Sequence, residues 1–342
     1  MKTAVVICPG RGTYSKTELG VLARHGADPA LVARLDARRR SLGQETLTDL
    51  DRAASYSVAR HTRGDNASAL IYVASLTDFR ALRGVEVVAV TGNSMGWYSA
   101  LACAGAVSAE AGFEVVNTMG SLMQQHLIGG QLIYPHMDET WRVDAPHKAE
   151  LMALVARINC EGGYSLALSI DLGGMLVLAG NAAGLAAFET AVPAAQGRFP
   201  MRLANHAAFH TDLQAPVAAQ AQAVLSVDLF AQPTLPLIDG RGHVWWPRAC
   251  DLRALWDYTL GHQVTAPYDF TRAITNAARE FAPDLFIITG PGTTLGGAVA
   301  QSLICADWRG MASKADFQAH QMASPLLVAM GMTDQRASVT AA

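Results

Sequence analysis

The chain has 342 residues, enough for one large domain or two smaller ones with ample core. Half of it is hydrophobic (51%) and only 16% is charged, a globular rather than a disordered balance, and a net charge of -3 leaves no electrostatic footprint for nucleic acid. No uninterrupted apolar stretch is long enough to span a membrane, and Met1–Ile7 is too short for a signal peptide before Pro9-Gly10 interrupts it; a cytoplasmic protein is expected.

Short β-branched runs alternate with longer helical segments, which is the α/β signature. Ala4–Ile7 predicts a buried strand, stopped by Pro9-Gly10-Arg11-Gly12-Thr13. That turn is neither a P-loop, lacking Gly-Lys-Ser/Thr, nor a full G-x-G-x-x-G, since Ser15 stands at the third glycine's place. Arg38-Arg39-Arg40, the one dense basic run, predicts a solvated helix end. Ala67–Leu82 predicts a helix, Val85–Val90 a strand, and Trp97–Ala106 and Ala109–Gln125 two further helices.

Between strand and helix lies Gly92-Asn93-Ser94-Met95-Gly96. A strand that turns through G-x-S-x-G into a helix is a nucleophile elbow: the glycines permit the sharp turn and push the serine hydroxyl out of the fold. The free N–H groups at the start of the helix then face any oxyanion forming there.

The texture changes next. Glu150–Asn159 predicts a helix, Leu166–Ile170 and Met175–Ala179 a strand pair around Gly173-Gly174, and Ala182–Ala195 a helix. Residues 126–204 therefore form an inserted α+β unit, with 1–125 and 205–320 making the larger one. A helix follows over Thr211–Leu225, then a short strand at Leu235–Ile238, a helix over Tyr268–Phe281 and a strand over Leu285–Thr289 ending in Gly290-Pro291-Gly292. Residues 333–342 lack periodicity and predict a loose tail. Trp245-Trp246 fits either packing or a surface patch.

A nucleophilic serine needs a base, and His210 stands at a loop-to-helix junction in Ala208-Phe209-His210-Thr211-Asp212-Leu213. His206 and His210 also have H-x-x-x-H spacing, but without a third ligand or adjacent Glu no metal site is expected. Cys8, Cys103, Cys160, Cys250 and Cys305 are widely spaced and form no C-x-x-C pair, which favours reduced, packing thiols over a disulfide framework.

Taken in order, these pieces resemble the malonyl-CoA:acyl carrier protein transacylase family, including the acyltransferase domains of polyketide synthases. Cys8-Pro9-Gly10-Arg11-Gly12-Thr13 resembles the family's F-P-G-Q-G-S, Gly92–Gly96 its G-H-S-L-G, Ala208–Leu213 its A-F-H-S-x-L, and Gly290–Leu295 its G-P-G-x-x-L. The resemblance implies a hydrolase-like α/β core with a ferredoxin-like insert, and ping-pong chemistry. Ser94 would take an acyl group from CoA or another thioester, with His210 as base, and pass it to the pantetheine thiol of an acyl carrier protein in fatty acid or polyketide biosynthesis. The backbone N–H groups of Arg11 and Met95 would hold the oxyanion, with Arg11, Asn93, Met119 and Phe209 about the substrate. No cofactor, metal, membrane or nucleic acid is implied.

The chain also departs from that pattern. Met119 stands where the family's arginine clamps the malonyl carboxylate, Asn93 replaces the histidine of G-H-S, Trp97 replaces an acid, and Ala67-Ser68-Ala69-Leu70 replaces Q-P-A-L. A thioether offers no charge-assisted contact to a carboxylate. The expectation is therefore a neutral acyl group, with Arg11 as a substitute cation the competing possibility. A hydrolase clearing acyl groups from carrier proteins, or a non-catalytic carrier-protein partner, are the alternative functions.

Overall fold

The structure, a computed structural model, describes residues 1–341. Its larger sheet has the order β11-β10-β1-β2-β7-β8. The strands are β1 (Lys2–Cys8), β2 (Val85–Gly92), β7 (Leu237–Ile238), β8 (Val244–Trp245), β10 (Leu285–Ile288) and β11 (Leu327–Ala329). All neighbours are parallel except β7 and β8. From Ala4 to Cys8, β1 is buried on both faces, which is why it reads as an unbroken apolar run rather than an alternation. Because β1, β2 and β10 run side by side in one direction, the loops leaving their carboxyl ends meet. Those loops are Pro9–Thr13, Asn93–Met95 and Thr289–Leu295, the place where sites form in open parallel sheets.

The helices of eight residues or more, in chain order, are α1 (Pro29–Ser41), α2 (Gly64–Ala81), α3 (Gly96–Cys103), α4 (Ala109–Gln125), α5 (Ala145–Asn159), α6 (Ala182–Ala191), α7 (Ala215–Val224), α8 (Phe270–Phe281), α9 (Gly296–Cys305), α10 (Lys314–Ala323) and α11 (Thr333–Thr340). Helix α4 starts where Ser108 accepts from the Ala111 N–H, and α8 starts at Phe270 because Asp269 accepts from the Arg272 N–H. Tyr268 and Asp269, expected as helix, therefore form the short strand β9.

The second sheet has the order β6-β3-β5-β4-β9, with β3 (Gly130–Pro135), β4 (Leu166–Leu172), β5 (Met175–Gly180) and β6 (Met201–Arg202). With α5 after β3 and α6 after β5, the first four of these strands follow the β-α-β-β-α-β ferredoxin-like plan. This unit has its own core, in which Leu132, Tyr134 and Leu178 of the sheet meet Leu151 and Val155 of α5 and Phe188 of α6. The molecule is thus α/β, with a mainly parallel sheet and a small α+β unit beside it.

Two expectations are corrected here. The end of the chain is a helix rather than a loose tail: Val339 of α11 is buried, and Arg336 donates to Asp78 (3.0 Å), a buried carboxylate that also accepts from the Gly290 N–H. Polar contacts also hold α11, with Arg336 donating to the His25 carbonyl (3.2 Å), Gln335 Oε1 accepting from the Ala329 N–H (2.7 Å) and the Val339 carbonyl from the Arg83 N–H (2.8 Å), and such long-range anchors leave no period in the sequence; Ala342 lies outside the described residues. The basic run is not uniformly solvated either. Arg38 pairs with Glu114 at the surface and Arg40 is exposed, but Arg39 is wholly buried. Its guanidinium donates to Asn117 Oδ1 (2.7 Å), Asn66 Oδ1 (2.6 Å), the Asp65 carbonyl (2.9 Å) and the Glu45 carbonyl, tying α1 to α2 and α4.

Removing Arg39 strands those acceptors away from water, at about 1–3 kcal/mol for each one left unpaired. Arg39→Ala is expected to lower unfolding stability in urea by at least about 3 kcal/mol, whereas Arg38→Ala and Arg40→Ala cost under about 1 kcal/mol each. Equal effects from all three would remove the distinction.

Candidate active site

Ser94 follows β2 with φ of 55°, a left-handed backbone that a serine seldom adopts. The neighbouring glycines leave the chain no other course. A Cβ on Gly92 would lie 2.2 Å from the Gly96 carbonyl carbon, and one on Gly96 would lie 2.1 Å from the Cys8 carbonyl oxygen. The loop after β1 presses equally close, since a Cβ on Gly10 would lie 2.5 Å from the Asn93 carbonyl oxygen. The Asn93 N–H donates to the Cys8 carbonyl (3.0 Å), and the Gly96 N–H to the Asn93 carbonyl (2.8 Å). Strand-end packing thus presents Ser94 at the head of α3.

His210 is brought to the serine from 116 residues away, with 2.8 Å between Ser94 Oγ and His210 Nε2. It too has positive φ, 59°, in the loop before α7. Its Nδ1–H donates to the Gln263 carbonyl (2.6 Å), which can only accept, so in the neutral ring Nε2 is left as the acceptor for the serine hydroxyl. Burial pushes the His210 pKa down to about 4, with the Gln263 bond opposing that shift. The imidazole is therefore a neutral acceptor at pH 7, backed by a carbonyl rather than a carboxylate. Gln263 also binds the serine side of the pair: its Nε2 donates to the Ser94 carbonyl (3.0 Å), and its Oε1 accepts from Tyr98 (2.9 Å). No motif marks Gln263. It is placed by a π-helical turn, Tyr258–His262, just before it.

The other sequence-predicted residues gather here. Among the described residues, neither the Met95 nor the Arg11 backbone N–H has a partner, and both stand beside Ser94. A cavity of about 40 Å³ at Ser94 is lined by Met95, Tyr98, Met119, Met123 and Phe209, among others. Met119 gives it an apolar wall. Asn93, whose Oδ1 is buried without a partner, lines a groove of about 950 Å³ that meets Ser94 from the side of the small sheet, where Ile133, Val177 and Met201 face it. Arg198, Arg202 and Lys314 also line that groove.

Arg11 is among the residues lining both spaces. Nη2 donates to the Thr62 and Asn205 carbonyls (2.9 Å each), and the guanidinium carbon lies 5.4 Å from the centre of the Phe209 ring. His206 lies on a loop rather than a helix face, and its Nδ1 bonds Gln131 Oε1 (2.8 Å). Trp97 is buried in the core, donating to Thr259 (3.0 Å), so it has left the site altogether.

No protein-family model matches the chain. It is 24% identical over 306 residues, 85% of this chain and 90% of the other, to the malonyl CoA-acyl carrier protein transacylase of Salmonella typhimurium. Its fold superposes with a TM-score of 0.73 on the malonyl-CoA:ACP transacylase of Synechocystis sp., at 21% identity, covering 99% of this chain and 100% of that one. A malonyl-transacylase solved in complex with a type II PKS acyl-carrier protein gives a TM-score of 0.74 at 18% identity, covering 99% and 98%. The chain is a divergent relative of these proteins.

The depressed His210 pKa sets a pH signature. Labelling of Ser94 by a fluorophosphonate needs the neutral imidazole, so its rate should stay level down to about pH 5 and fall towards pH 4. A midpoint near the ordinary histidine value of about 6.5 would contradict a buried, carbonyl-backed imidazole.

Proposed function

We propose that this divergent relative of the malonyl CoA-acyl carrier protein transacylases moves a short acyl group from a CoA-type thioester, through an ester on Ser94, to the pantetheine thiol of an acyl carrier protein. The observation that carries this reading is the 2.8 Å contact between Ser94 and His210 at an elbow whose two flanking backbone N–H groups are free.

Ser94 Oγ attacks the thioester carbonyl carbon while its proton passes to His210 Nε2, a step that positioned general bases accelerate by roughly 10²–10⁴. The carbonyl oxygen takes up negative charge and accepts from the Met95 and Arg11 N–H groups; such donors are worth roughly 10²–10³ each. The C–S bond breaks, and the departing sulfur takes the proton from His210. The carrier thiol then enters, gives its proton to the same nitrogen and attacks the ester carbonyl; the C–Oγ bond breaks and Ser94 Oγ takes the proton back from His210 Nε2. The groove offers apolar walls to a pantetheine arm, and Arg198 and Lys314 offer charge to its phosphate. The cavity beside Ser94, lined by Met95, Met119, Met123 and Phe209, is where the acyl group would sit. Met119 removes charge from one wall, which favours a neutral group there.

Intact-protein mass spectrometry after brief exposure to short acyl-CoAs is expected to show one acyl adduct, absent in Ser94→Ala and formed roughly 10²–10⁴ times more slowly in His210→Ala. Holo-carrier protein should discharge the adduct and gain its mass. Thiol release that needs Ser94 but never charges the carrier would make the protein a thioester hydrolase. No Ser94-dependent adduct or thiol release would leave only a binding role.

A further inference from the structure

The peptide bond between Gly92 and Asn93 sets the direction in which Ser94 leaves β2, and it is held at both ends. The Asn93 N–H donates to the Cys8 carbonyl (3.0 Å), and the Gly92 carbonyl accepts from the Tyr268 hydroxyl (2.5 Å). The first partner is the neighbouring strand end; the second is a side chain 176 residues away. Tyr268 is buried, only 1% exposed. Burial pushes its pKa well above the ordinary tyrosine value, so the hydroxyl keeps its proton and donates. The ring has no room to swing aside. A Cβ on Gly240 would lie 2.5 Å from two of its atoms, and the His210 imidazole stands against it with 5.5 Å between ring centres. The backbone is fixed as well, because Tyr268 of β9 pairs with Ile170 of β4.

One side chain therefore reaches both halves of the Ser94–His210 pair, restraining the peptide that aims the serine and walling the imidazole. It lines neither the cavity at Ser94 nor the groove, so an acyl group or a pantetheine arm does not touch it. We propose that Tyr268 is a positioning residue for the nucleophile: through the Gly92 carbonyl it holds Ser94 Oγ against His210 Nε2 in the orientation that attack requires. The assignment rests on the acyl-Ser94 reading and adds to it a residue outside the elbow motif. A reacting oxygen misplaced by about 1 Å can lose roughly a hundredfold in rate. Substrate binding does not depend on that placement, so the contribution of Tyr268 falls on the chemical step rather than on affinity.

The test uses Tyr268→Phe, which keeps the ring against His210 and Gly240 and removes only the hydroxyl. Taking a donor from a buried carbonyl also lowers stability, so a destabilised control is needed. Arg39→Ala supplies it, since its lost contacts lie among α1, α2 and α4. Labelling of Ser94 by a fluorophosphonate is measured without urea and expressed per folded molecule, the folded fraction coming from circular dichroism. Tyr268→Phe should label roughly tenfold to a hundredfold more slowly than wild type, and Arg39→Ala at the wild-type rate. Gly240→Ala, which crowds the same ring and leaves its hydroxyl in place, should slow labelling by at least about threefold. In transfer to holo-carrier protein from the short acyl-CoA that wild type loads fastest, Tyr268→Phe should lower kcat while KM for the donor stays within about twofold. Wild-type labelling and kcat in folded Tyr268→Phe or Gly240→Ala overturn the assignment and leave Tyr268 a purely structural residue. So does a raised KM at unchanged kcat, or equal slowing in Arg39→Ala. All of these leave the acyl-enzyme intact. A wild-type Ser94 that takes neither the fluorophosphonate nor any acyl group, with no thiol released, removes the acyl-enzyme reading and this assignment together.

Discussion

Everything at this site depends on how closely two parallel strand ends approach. The carboxyl ends of β1 and β2 are so tightly packed that any side chain at Gly10, Gly92 or Gly96 would intrude on backbone atoms at 2.1–2.5 Å. That approach cannot be relieved by a rotamer change, since the opposing atoms are main chain. It forces Ser94 into left-handed backbone, starts α3 directly behind it, and sets the Arg11 loop against the serine. The strain of such a residue costs on the order of 1–3 kcal/mol and is held by the surrounding sheet. The glycines are therefore not flexible points; they are the places where the structure is most crowded.

The second half of the site is built on different physics. His210 comes from the loop that follows the small unit in the chain, and a carbonyl rather than a carboxylate stands behind it. A carbonyl fixes its tautomer, burial keeps it uncharged, and Gln263 joins both members of the pair through one residue. Such an arrangement gives orientation without adding a buried negative charge next to the imidazole. The charge in the site lies elsewhere, on Arg11. Relative to the resembled pattern the chain has changed glutamine to arginine in the β1 loop and arginine to methionine on α4. In this chain Met119 on α4 and Arg11 in the β1 loop both line the cavity at Ser94. Met119 leaves the α4 wall of the cavity apolar, and the unpaired Nε and Nη1 of Arg11 are buried in the protein.

Much of the architecture was legible because it depends on local pattern. The buried strands β1 and β2, the elbow between β2 and α3, and the strand pair β4–β5 are each marked by an apolar run and a glycine turn within a few residues. The segment before α2 is different. Short helical turns there are held by Arg39 and by Asp51, whose carboxylate accepts from Tyr14 (3.3 Å) and the Leu22 N–H (3.3 Å), and such long-range polar anchors leave no period in the sequence. The same reason hides α11 and the two-residue strands β6, β8 and β9. Trp245 and Trp246, undecided by sequence, divide between the two readings: one is buried against Asp239 and the other half exposed.

The sequence by itself determined the chemistry that can be written in consecutive residues. Ser94 with its glycines, the loop bearing Arg11, and the missing charge at position 119 are all local facts, because a turn or a substitution is specified within a few bonds. Tertiary structure alone decided what those groups meet. That His210 Nε2 reaches Ser94, that Gln263 supplies its carbonyl, and that the Arg11 guanidinium ends buried and half-satisfied rather than in solvent all depend on contacts across 50 to nearly 200 residues. Such contacts are set by the packing of whole elements, and hydrogen-bond satisfaction is a property of the packed interior that no single stretch of chain contains.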